Sequence, residues 1–171
     1  DISADQVYTG ALLSDSGEIL WLCDNLGHFI DDANGDGGPW PKGSLSPNFG
    51  SMERQGTSEE SDSSWVTNQG FPRNGINGIN GAIYGTPRRF NSTGSGIAPT
   101  PTAFKPPSII LPPAGRPIIN EFLARPGFDW NQDGKVNVYD EFIEIKNVGN
   151  ADISLSGWTL DDELNQGSNP F

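Results

Sequence analysis

Gly17-Glu18-Ile19-Leu20-Trp21-Leu22-Cys23, then Asp24-Asn25-Leu26-Gly27, then His28-Phe29-Ile30-Asp31 follow one another as an apolar run, a four-residue polar break and a second apolar run. The pattern predicts strand, turn, strand: an antiparallel hairpin reversed by residues that favour turns. In the first arm Ile19 and Trp21 share one parity and Leu20 and Leu22 the other. That predicts a strand covered on both faces, with Trp21 in the core. Cys23, the single cysteine, reads as a small core residue, and alone it makes no intrachain disulfide.

Working outward, the segment from Arg116 to Leu123 and the segment from Glu141 to Val148 repeat the strand pattern, the second with Ile143 and Ile145 on one face. Ile153, Leu155 and Trp158-Thr159-Leu160-Asp161 follow behind short turns and are also read as β. Between these runs, residues 32–47 are rich in Gly, Pro, Asn and Asp and read as loop, and residues 55–64 as a solvated acidic connection. The Asn-Gly-Ile recurrence over residues 74–81 is turn chemistry, because Asn and Gly tolerate positive φ. From Ser92 to Gly115 six prolines stand among Ser, Thr, Gly and Ala, which makes an extended, semi-rigid spacer. Within it Ile109-Ile110-Leu111 is read as an edge strand docking on a neighbouring surface. The expected organisation is therefore 1–91, a linker over 92–115, and 116–171.

Composition agrees with short strands and long loops: of 171 residues 34% are apolar, while Gly (22) and Pro (14) together make about a fifth. A net charge of −12 with ten Lys and Arg argues against a nucleic-acid surface and suits cations. No apolar stretch is long enough to span a membrane. The opening Asp1-Ile2-Ser3-Ala4-Asp5 has neither an initiator Met nor a basic start, as expected of the interior of a longer protein.

One stretch carries a metal-ligand spacing. Asp129-Trp130-Asn131-Gln132-Asp133-Gly134-Lys135-Val136-Asn137-Val138-Tyr139-Asp140 sets side-chain oxygens at loop positions 1, 3, 5 and 12 and glycine at 6, with Asn137 at 9. Calcium takes six to eight oxygens, and alternate carboxylates and amides around a glycine turn supply them, with a backbone carbonyl at position 7, here Lys135. Val136 at position 8 is expected to be the apolar anchor. The general pattern closes with Glu; Asp140 stands there instead, as in dockerin-like loops, and Glu141 beside it faces the other way along a strand. The candidate ligands for Ca2+ are thus Asp129, Asn131, Asp133, Lys135, Asn137 and Asp140. The alternative is a polar turn closed by its own hydrogen bonds. Asp32, Asn34 and Asp36 repeat the first half of the pattern as a weaker second candidate, but Trp40 and Gly43 occupy its later positions, so no distal acid closes it.

Catalytic constellations are missing. His28, the only histidine, has no nucleophile elbow or metalloprotease motif to partner it. Asp140 and Glu144 share a strand face and make a weak glycosidase pair in a chain with 22 acids. Among five tryptophans, Trp21 and Trp158 are assigned to the core, and Trp40 and Trp130, in Gly/Pro/Asp loops, to exposed ligand contact.

Three ordered motifs resemble the opening of the bacterial lamin-tail domain: Pro117-Ile118-Ile119-Asn120-Glu121-Phe122-Leu123, Asp140-Glu141-Phe142-Ile143-Glu144-Ile145-Lys146-Asn147, and Leu155-Ser156-Gly157-Trp158-Thr159-Leu160-Asp161-Asp162. The closing half of that family is similar to residues 13–18, Ile30-Asp31, Ser51-Met52-Glu53-Arg54, Trp65 and residues 85–91. The resemblance covers most of the chain outside the linker, in reversed order. It implies an all-β, immunoglobulin-like sandwich assembled from two half-domains, as a circular permutant or by strand exchange, because unpaired strand edges do not persist alone in water. A tethered half sees its partner at high effective concentration, so pairing within one chain is expected. The chain is then an extracellular or cell-surface bacterial module, non-catalytic, structural or adhesive and stabilised by calcium, or alternatively a carbohydrate-binding accessory of a secreted hydrolase. Its expected partners are neighbouring copies of itself, a glycan or a cell-surface protein, with no nucleic acid and no membrane span. Arg54 and Glu141 are expected to form a buried ion pair across the two halves, since a charge facing the core must be matched.

Overall fold

Leu20–Cys23 (β1) and Phe29–Ala33 (β2) form the expected hairpin, paired antiparallel with Leu22 opposite Asp31 and Leu20 opposite Ala33. The computed structural model describes residues 2–6, 13–76, 80–92 and 115–162 of the chain. At the reversal the Asp24 carboxylate accepts the N–H groups of Leu26 at 2.8 Å and His28 at 2.9 Å. Gly27 takes a φ of 77°, a conformation that a residue without a Cβ adopts at little cost. A register shift opposite Leu22 and Cys23 leaves Ile30 as the extra residue on β2, and both Leu22 and Cys23 are fully buried. Trp21 departs from its assignment to the core. It is half-buried and edge-on to Phe29 at 5.6 Å, while Cys23, of the same parity, is fully buried.

The remaining strands are Met52–Arg54 (β3), Trp65–Thr67 (β4), Pro117–Leu123 (β5), Phe142–Asn147 (β6) and Thr159–Asp161 (β7). They complete two antiparallel sheets, ordered β2-β1-β7 and β4-β3-β5-β6, and the described residues contain no α-helix, only 3₁₀ turns at Asp62–Ser64 and Val138–Asp140. Each sheet joins strands from both sides of residues 93–114: β1 pairs with β7, and β3 with β5. Most of the proline-rich spacer, including Ile109-Ile110-Leu111, lies outside the described residues.

The two sheets bury their facing sides in one hydrophobic cluster. Leu20, Leu22, Ala33 and Leu160 come from the first sheet, Met52, Trp65, Ile119 and Phe122 from the second, and Trp158 joins them as expected. Ile153 and Leu155 pack against this cluster without joining a strand. β5 is covered on both faces, with all seven residues buried. Its alternation breaks at a register shift between Ile119 and Glu121, so that Ile119 and Phe122, three apart, both reach the core. Glu121 is left on the opposite face, directly across from Glu53 of β3.

Candidate metal centre and a buried carboxylate cluster

Residues 129–140 connect β5 to β6, and their backbone turns on Gln132 (φ 63°) and Gly134 (φ 86°). Positive φ at the glycine lets the chain wrap back on the Asp129 side chain. The carboxylate of Asp129 accepts the N–H groups of Asp133 at 3.1 Å and Gly134 at 2.8 Å, and Asn131 Oδ1 accepts the same Asp133 N–H at 2.9 Å. Asp133 in turn accepts the Lys135 N–H at 2.9 Å. Oxygens from positions 1, 3 and 5 are thereby drawn around one short run of backbone.

The later positions serve a different purpose. Asn137 caps the 3₁₀ turn, accepting the Tyr139 N–H at 2.8 Å. Asp140 is buried, and its carboxylate ties the loop shut by accepting the N–H groups of Trp130 (2.7 Å), Asn131 (3.1 Å) and Asn137 (2.9 Å). Among the described residues no group of three or more His, Cys, Asp or Glu side chains is gathered so as to hold a metal. Amide and carbonyl oxygens must therefore complete any site in this loop, as they do for calcium.

Val136 does not anchor the loop in the core; it is 53% exposed. With Leu45, Phe49, Val138, Arg125 and Glu141 it lines a recess of about 440 Å³ beside the loop. Glu141 reaches Leu13, whose N–H it accepts at 3.1 Å, and burial pushes its carboxyl up to about 7, with Asp15 and Glu18 adding to the shift and the Leu13 N–H opposing it.

The expected pair of Arg54 with Glu141 is not formed. Arg54 faces the space between the sheets, where Nη1 meets Asp31 of β2 at 2.5 Å and Nη2 donates to the Ser58 carbonyl at 2.8 Å. Asp31 Oδ2 also accepts the Ile119 N–H at 2.8 Å, so one carboxylate links β2, β3 and β5. The core-facing charge is matched as the physics requires, but by the hairpin residue opposite Leu22 and not by one beside β6. Burial raises the Asp31 carboxyl despite the adjacent guanidinium.

In the second candidate loop, Asn34 is fully buried in a left-handed conformation (φ 59°), and its Nδ2 donates to the Glu18 carbonyl at 2.9 Å and the Gly38 carbonyl at 3.1 Å. Its visible role is to hold the loop. Asp32 and Asp36 line a recess of about 470 Å³ with Glu60 and Asp62. Burial raises Asp32, and Glu60 and Asp31 raise it further.

Trp40 and Trp130 are not exposed platforms. Trp40 packs edge-on to Phe122 at 5.0 Å and donates its indole N–H to the Ser14 carbonyl at 2.7 Å, while Trp130 stacks on Phe142 at 4.8 Å. His28 is exposed and bonds only locally, its Nδ1 3.0 Å from Asp24.

A cluster that sequence reading missed lies on the covered outer side of β3 and β5. Glu53 and Glu121 are both fully buried. Glu53 Oε1 accepts Asn68 Nδ2 at 2.8 Å and contacts the Thr86 hydroxyl, while Oε2 accepts the Ser92 N–H at 2.9 Å and contacts the Ser92 hydroxyl. Glu121 Oε1 accepts the Ser51 hydroxyl at 2.5 Å and the Thr86 N–H at 2.7 Å, and Oε2 lies 3.0 Å from Thr86 Oγ1. Burial, and next the charge of Glu53, push the Glu121 carboxyl up to about 8.

Comparison with known proteins finds no family model that matches the chain, and no curated protein or solved structure that matches it either.

Proposed function

We propose that the chain is a non-catalytic structural or adhesion module of a secreted or surface protein, stabilised by calcium in the Asp129–Asp140 loop. The observation that carries this reading is the gathering of the Asp129, Asn131 and Asp133 oxygens around the Asp133 to Lys135 backbone. These three side chains fit a hard cation, because they offer only oxygen and two of them are carboxylates. The Lys135 carbonyl, Asn137 and Asp140 would complete the set; Asp140 Oδ2 accepts one N–H and keeps a further lone pair. The ion would neutralise two acids on a short loop and fix the crossing from β5 to β6.

The same proposal includes an immunoglobulin-like, lamin-tail-like sandwich built from two half-domains in permuted order. It is supported by two sheets that share one core and that each combine strands from either side of residues 93–114. A monomeric mass in solution fits pairing within one chain, and a dimer formed by strand exchange would replace that part of the reading. The carbohydrate-binding alternative loses its two supporting residues, since Trp40 and Trp130 are packed on other rings.

Calorimetric titration with calcium chloride, paired with thermal melts in calcium and in chelator, tests the metal. Calcium at 100-fold over its dissociation constant adds about 2.7 kcal/mol to a fold that alone binds it. The gain should vanish in Asp129→Ala and Asp133→Ala variants. Absence of binding heat together with identical melts in both buffers would falsify the assignment.

A further inference from the structure

The outer side of β3 and β5 holds a hydrogen-bond chain that does not close without an extra proton. Thr86 Oγ1 lies between Glu53 Oε1 and Glu121 Oε2 and contacts both. A hydroxyl carries one hydrogen, so it donates to one carboxylate only. The other contact brings two lone pairs together unless that carboxyl is itself protonated. If Thr86 donates to Glu53, the proton sits on Glu121 Oε2 and is donated to Thr86; the opposite arrangement puts it on Glu53.

The surroundings favour the first arrangement. Glu53 is already met by Asn68 Nδ2, the Ser92 N–H and the Ser92 hydroxyl, a donor set that suits an ionised carboxylate. No Lys or Arg side chain among the described residues pairs with either acid. Arg54, next along β3, turns to the opposite face and pairs with Asp31 of β2, whose neighbour Asp32 lines the recess beside Glu60. Arg88 pairs with Asp5, and Arg89 is exposed. Lys146 of β6 lies over the Phe90 ring at 5.4 Å. Glu144 of β6, which accepts the Arg88 N–H at 2.6 Å, adds negative charge near Glu121, and β4 contributes no charged residue. Two like charges directly opposite on paired strands and out of water do not both persist.

We propose that Glu121 keeps a proton at neutral pH, donated to Thr86, which in turn donates to Glu53, and that this proton latches residues 51–54 and 85–92 onto β5, so that the fold is tighter in mildly acidic than in alkaline surroundings. Through Ser51 and Thr86 the latch joins segments that precede the proline-rich spacer to the first strand after it. It does not depend on the calcium reading.

The sign follows from where the proton is held. The folded chain keeps a proton that the unfolded chain releases near pH 4.5, so stability is fully present below that value and is lost as pH rises towards about 8. The test is urea unfolding of the full chain from pH 5 to 9 at constant calcium, beside the Glu121→Gln variant. Its amide keeps the shape and supplies a permanent donor to Thr86. The ratio of wild-type to variant unfolding constants should climb by up to about tenfold per pH unit across that window; a flat ratio overturns the latch. Carbon-13 carboxyl titration of the wild-type chain reads the same proton without a variant. The assigned Glu121 resonance titrating above pH 7 supports the proposal, and Glu121 titrating below pH 5 refutes it.

Discussion

Phe122→Ala is expected to remove about 3–5 kcal/mol of folding free energy, a large share of the roughly 5–15 kcal/mol that holds an ordinary domain together. Phe122 is fully buried where the two sheets meet, with Trp40 edge-on at 5.0 Å and Trp65 edge-on at 5.1 Å. Deleting the ring removes its transfer free energy and opens a cavity between two indoles that cannot close on it. Trp40 is tied to the Ser14 carbonyl, and Trp65 donates its indole N–H to Glu60. Edge-to-face pairs add roughly 0.5–1.5 kcal/mol each beyond area. Chemical denaturation at pH 7, with near-ultraviolet dichroism to follow the indoles, measures the loss. Phe90→Ala, at a side chain 81% exposed, is the control and should stay within about 0.5 kcal/mol of wild type. A Phe122 variant as stable as that control would show that the sheets do not share this core.

Phe122 also shows what was legible before the fold was known. The hairpin, β5 and β6 announce themselves because alternation or continuous apolar runs persist over enough residues to be counted, and β7 is legible through the run Trp158-Thr159-Leu160-Asp161 behind a turn. The three-residue strands Met52–Arg54 and Trp65–Thr67 carry too short a pattern to read as strands, though Ser51-Met52-Glu53-Arg54 and Trp65 stand among the residues of the family resemblance. The bulge that brings Ile119 and Phe122 to one face depends on pairing with β6, which spacing within β5 does not encode. The same holds for charge. Arg54 was read as needing a buried partner, but a requirement for compensation does not name the compensating residue, and Asp31 looked like the end of a hairpin arm. Glu53 and Glu121 become a pair only through strand register. In the loop, the oxygen spacing is local and was readable, whereas Val136 failed as an anchor because its burial depends on what packs beside it. Trp40 and Trp130 were misplaced for that reason too: a tryptophan in a loop finds its aromatic partner only in three dimensions.

Arg54→Met should cost about 3–5 kcal/mol at pH 7, although methionine fills much of the same space. The variant leaves the Asp31 carboxylate between the sheets with the Ile119 N–H as its remaining partner from another strand. Attraction to the guanidinium is what currently offsets part of its burial. Without it the carboxyl rises further and takes up a proton, so the variant should recover stability as pH falls towards 5, a direction set by the raised folded value. The Arg54→Met, Asp31→Asn double variant separates the two costs. With the orphaned charge gone, it should be more stable at pH 7 than the single variant, because removing both members of a buried pair is milder than removing one. Urea melts of wild type, both singles and the double at pH 5 and 7 give the coupling energy. A single Arg54→Met variant within about 1 kcal/mol of wild type at pH 7, with no gain at pH 5, would mean that Asp31 finds solvent or another donor. The link between β2, β3 and β5 would then rest on packing alone.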